Sequence, residues 1–70
     1  MSLAARLDAA VAAGDTAALI TVYTLAADQA RDVDTACFLL TQAYVYALEA
    51  GDARAATLRA RLVAEGRERA

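Results

Sequence analysis

At 70 residues the chain has room for one domain with a modest core, and a second independently folded unit is excluded. Alanine fills 21 positions and glycine three, while proline, lysine, histidine, tryptophan and asparagine do not occur. That is the composition of an all-α protein, and the lack of histidine closes the commonest routes to acid–base catalysis and zinc binding. The formal charge of −2 is divided unevenly: residues 1–52 hold seven acids and two arginines, a balance of −5, and residues 53–70 hold five arginines and two glutamates, a balance of +3.

Ser2 is a candidate N-cap, and Leu3, Leu7, Ala10 and Val11 fall on one side of a helix predicted over 3–13. Arg6 and Asp8 make this opening amphipathic and unlike a signal peptide. The stretch "AVAAGDTAAL" then supplies a glycine to end the helix and Asp15 to cap the next, predicted over 16–31 with Leu19, Val22, Tyr23, Ala26 and Ala30 as its apolar side. The charged link "RDVD" follows, with Asp34 as the expected cap of a third helix over 35–50. In that helix Cys37, Leu40, Ala43, Tyr44, Ala47 and Leu48 form a full face, yet Phe38, Leu39, Val45 and Tyr46 point elsewhere. A helix apolar nearly all round is buried on several sides. The 14 residues from Thr35 to Leu48 carry no charge, but a bilayer span needs roughly 20 apolar residues. "ALEAGDARAA" repeats the turn with Gly51 and Asp52, and a fourth helix over 53–65 offers Ala55, Leu58 and Leu62 with Val63 beside them, before a basic tail over 66–70.

The two Ala-Gly-Asp turns lie 37 residues apart. At that shift Leu3 falls on Leu40, Leu7 on Tyr44, Ala10 on Ala47 and Val11 on Leu48, so the chain reads as two copies of one helical hairpin, about 3–31 and about 35–65. This pattern resembles the tetratricopeptide repeat, whose unit is a helical hairpin of about 34 residues. Gly51-Asp52 with Ala56 is similar to the family's turn and the alanine after it, and Gly14-Asp15 with Tyr23 and Ala26 is similar to its turn and its later aromatic–alanine pair. The chain departs from the family at Tyr44, where glycine is preferred, at Ala60, where an aromatic is preferred, and in having no closing proline. The resemblance implies two stacked antiparallel hairpins, a minimal solenoid or small bundle. Such units bury their faces against neighbours, and two of them leave an end uncovered.

Chemistry is sparsely supplied. One cysteine and no histidine allow neither a Cys-His pair, a zinc ligand set nor a serine triad, and the Gly-Asp turns lack the glycine spacing and lysine of a phosphate loop. Asp28, Asp32 and Asp34 are the one carboxylate cluster, short of the ligand count and turn glycine of a calcium loop. Cys37 shares the face of Leu40 and Tyr44 and is expected to pack as a small hydrophobe in a reducing cytoplasm. No enzyme, cofactor or metal is therefore expected.

Two binding readings follow. In the leading one the chain is a non-catalytic adaptor or accessory subunit that docks a protein, or a second copy of itself, through Phe38, Leu39, Val45 and Tyr46. In the alternative, Arg54, Arg59, Arg61, Arg67 and Arg69 form a basic patch for nucleic acid, although no aromatic interleaves with them and the protein as a whole is acidic. The same arginines have two quieter uses, attraction to the acidic body and complementing the last helix's dipole.

Overall fold

The computed structural model describes residues 1–68. It contains four helices, α1 (Leu3–Ala13), α2 (Thr16–Asp28), α3 (Val33–Ala50) and α4 (Arg54–Ala64), with no strand among the described residues. The all-α bundle expected from composition and periodicity is the fold observed.

The repeated tripeptide folds the same way twice. Gly14 has φ 62° and ψ 30°, and Gly51 has φ 63° and ψ 30°. This left-handed region costs a residue with a Cβ about 1–2 kcal/mol. Each glycine N–H donates back into the last turn of its helix, to Val11 O at 3.1 Å in one case and Leu48 O at 3.2 Å in the other. The following aspartate N–H reaches Ala10 O at 3.0 Å or Ala47 O at 2.9 Å, closing the helix end with its carbonyls satisfied.

Four expected boundaries shift. α2 stops at Asp28 and α3 begins at Val33, with Asp32 rather than Asp34 as its N-cap. Asp32 wins because Thr35 gives it two donors: the Thr35 N–H at 2.8 Å to Oδ1 and the Thr35 hydroxyl at 3.0 Å to Oδ2. These bonds hold the Asp32 carboxyl below its ordinary range, and Asp34 falls inside the first turn, where the helix dipole favours a negative charge. α4 runs Arg54–Ala64 rather than 53–65, and its N-cap is Ala53, with no side-chain capping bond, rather than Asp52. Asp52 lies one residue further back, where its Oδ1 accepts the Arg54 N–H at 2.8 Å.

Each helix packs on its neighbour in sequence: α1 on α2, α2 on α3, α3 on α4. The Cα trace occupies 33 × 29 × 12 Å. The core is Ile20 and Ala27 from α2, Cys37, Leu40, Ala43 and Ala47 from α3, and Leu58 and Leu62 from α4. Alanines at this seam let the helix axes approach closely. Against it pack Tyr23, Leu39, Tyr44, Tyr46 and Ala55, with the Tyr23 and Tyr46 rings stacked at 5.9 Å and 19°. α1 stands outside this cluster; buried Ala10 is its share of a separate seam where buried Leu19 and Val22 line the neighbouring α2.

Two expectations about burial are corrected. Val11 and Leu48, read as inward-facing, are 62% and 55% exposed. In each case the residue just before, Ala10 or Ala47, takes the inward position, and consecutive residues stand about 100° apart around a helix. Ile20 and Ala27, left out of the apolar side of α2, are central to the core. α2 is thus buried on two sides, by α1 through Leu19 and Val22 and by α3 through Ile20 and Ala27.

Candidate interaction surface

Every exposed large hydrophobic side chain among the described residues belongs to α1, α3 or the residue leading into α1: Met1, Val11, Val33, Phe38, Val45 and Leu48. None lies on α2 or α4. Phe38, Thr41, Val45 and Leu48 follow one another at spacings of three and four, so they form one stripe along α3, away from the Cys37, Leu40, Ala43 and Ala47 face that holds the core. Thr41 does not interrupt it, because its hydroxyl donates to Cys37 O at 2.8 Å and is satisfied within the helix. Phe38 is 63% exposed and Val45 43%. Glu49 lies at the carboxyl end of the stripe and Asp34 at its amino end, bonded to Arg67.

The four residues picked out from the sequence are therefore placed apart. Phe38 and Val45 stand on the solvent stripe, and Leu39 and Tyr46 are half-buried against the core. Leu48 belongs with the first pair. The repeat shift of 37 aligns Leu48 with Val11 on the expected inward face; in the structure both are exposed, as are Phe38 and its counterpart Met1.

The basic segment is engaged inside the molecule. Arg54 grips the Asp52 carboxylate through Nε at 3.1 Å and Nη2 at 2.9 Å, and its Nη1 donates to Thr21 Oγ1 of α2 at 2.8 Å. This fork holds the Asp52 carboxyl down to about 2 and raises the Arg54 guanidinium further. Arg61 pairs with Asp28 at 2.7 Å, tying α4 to α2. Arg67 bonds Asp34 at the start of α3, which raises its own pKa. Arg59 is exposed on α4, and Arg69 lies outside the described residues. The carboxylates of the acidic cluster are each engaged separately: Asp28 by Arg61, Asp34 by Arg67, and Asp32 by its capping bonds. Cys37 is buried in the core.

Two further features of the surface matter. A groove of about 490 Å³ runs between α1 and α2, lined among others by Arg6, Ala9, Ala10, Asp15, Ala18 and Thr21. No helix of the described residues is long and apolar enough to cross a membrane. Comparison with protein-family models, curated proteins and solved structures found no match.

Proposed function

We propose that the protein is a non-catalytic interaction module, a small adaptor or accessory subunit on a repeat-type helical hairpin scaffold similar to the tetratricopeptide repeat. It docks the apolar side of a partner helix, or of a second copy, along the outward stripe of α3. The observation that carries this reading is the segregation of exposed hydrophobic side chains onto α1 and α3, with Phe38, Val45 and Leu48 in one line. Apolar side chains grouped in this way on a small monomer mark an interaction site, whereas scattered ones do not. The engagement of Arg54, Arg61 and Arg67 by aspartates supports a protein partner over nucleic acid, since phosphate would have to displace three existing ion pairs.

The test is capture by the double variant Phe38→Gln, Leu48→Gln, since glutamine keeps helix propensity while removing the apolar surface. Wild-type protein used as bait in its native host enriches a specific partner or tagged copies of itself, and the variant loses that enrichment while retaining its helical circular dichroism. Equal enrichment by a folded variant would assign binding to another surface.

A further inference from the structure

The groove between α1 and α2 sits where the internal repeat places a helix-binding surface. The surface of the second hairpin that receives α2 includes Tyr46, Ala47, Ala55 and Leu58, all in the core or packed against it. Moved back by the repeat shift of 37, these positions become Ala9, Ala10, Ala18 and Thr21, and all four line the groove. Asp52, which fixes Arg54 onto α2, becomes Asp15, at the same groove's edge. The first hairpin thus carries an open counterpart of the surface that holds the two hairpins together.

The same shift names the occupant. The helix held inside the molecule is α2, through Ile20, Tyr23 and Ala27. Its counterpart in the second hairpin is α4, where those positions are Thr57, Ala60 and Ala64, all exposed and all small. Small side chains suit a shallow, alanine-lined groove because they let the helix axes approach.

We propose that copies of this chain stack head to tail, with α4 of one copy in the α1–α2 groove of the next, continuing the packing of hairpin on hairpin across the chain boundary. This surface is separate from the α3 stripe, and the proposal stands without the reading of that stripe. The contact is heterologous, joining two different patches, so it propagates rather than closing at a dimer. It is weak, because Thr57 and Ala60 replace the larger Ile20 and Tyr23.

The test is solution mass by sedimentation velocity over a hundredfold concentration range, for wild type and two end-blocked variants. Ala9→Arg blocks the groove and Ala60→Arg blocks α4; both positions are exposed, so both variants keep the fold, which circular dichroism checks. Wild type is expected to rise past twice the protomer mass at the highest concentration. Each variant alone stays monomeric, and an equimolar mixture forms heterodimers and stops there, because each carries one intact end. A wild-type mass that does not change with concentration overturns the proposal. So does a plateau at two that persists in Ala9→Arg, which would mark a symmetric contact elsewhere.

Discussion

The two hairpins begin from the same turn and end in different degrees of support. α1 and α3 stop at glycines with matching dihedrals and matching hydrogen bonds, and Ala10 and Ala47 are buried at equivalent positions. Yet α1 is 11 residues long and rests on α2 alone, whereas α3 is 18 residues long and lies between α2 and α4 with four core side chains. Local sequence sets the turn; the size and number of side chains meeting across the seam set how firmly the helix is held. The α2–α3–α4 cluster is accordingly the stable part of the molecule, and α1 is its least supported element.

The largest effect expected from that contrast is at Ile20, which is fully buried among three helices. Ile20→Ala should cost about 3 kcal/mol, from lost burial and the cavity left behind. A domain of this length has a total stability of only about 4–10 kcal/mol. Leu7→Ala on half-buried α1 should cost about 1 kcal/mol in the same urea titration. Equal losses at the two sites would break the contrast.

Arg54 comes next, because it is the fork that joins the second turn to α2. Arg54→Ala should lower the unfolding free energy by about 1–2 kcal/mol, and Arg54→Lys should recover little of it, since an ammonium cannot make the two-pronged contact with Asp52 while reaching Thr21. Full recovery by lysine would mean that charge alone matters at this joint.

A smaller effect appears in acid. The Asp52 carboxyl is held down to about 2 in the folded chain, below an ordinary value of 3.8. A depressed carboxylate pKa adds stability that is present above the unfolded value and lost as pH falls through the folded one. Wild-type stability should therefore fall more steeply than that of Asp52→Asn between about pH 4 and pH 2, measured by thermal unfolding across that range. Parallel curves would show that the Arg54 fork does not grip the carboxylate in solution.

Much of this fold was legible in the sequence because its determinants are local. Helix-forming composition, the Gly-Asp pairs and the apolar spacing placed four helices and both turns within a few residues. The start of α3 was not legible: Asp32 and Asp34 both satisfy a capping rule, and the choice rests on where the Thr35 hydroxyl points. Periodicity also put Ala47 and Leu48 together on the inward face, and only the placement of α2 and α4 around α3 separates buried Ala47 from exposed Leu48. The charge division of the chain was visible, and attraction of the arginines to the acidic body was among the uses it implied, but the individual partners were not. Arg61 meets Asp28 and Arg67 meets Asp34 across 33 residues, pairings that exist only once α4 and the residues after it have folded back over the molecule.

Whether the α3 stripe faces solvent in the free protein is measured most directly by the unfolding free energy of Phe38→Gln, Leu48→Gln. Surface positions with no structural duty change stability by no more than about 0.5 kcal/mol, and that is the result expected here. A loss of about 2 kcal/mol or more would place both side chains in a core and contradict the assignment of this stripe to a partner.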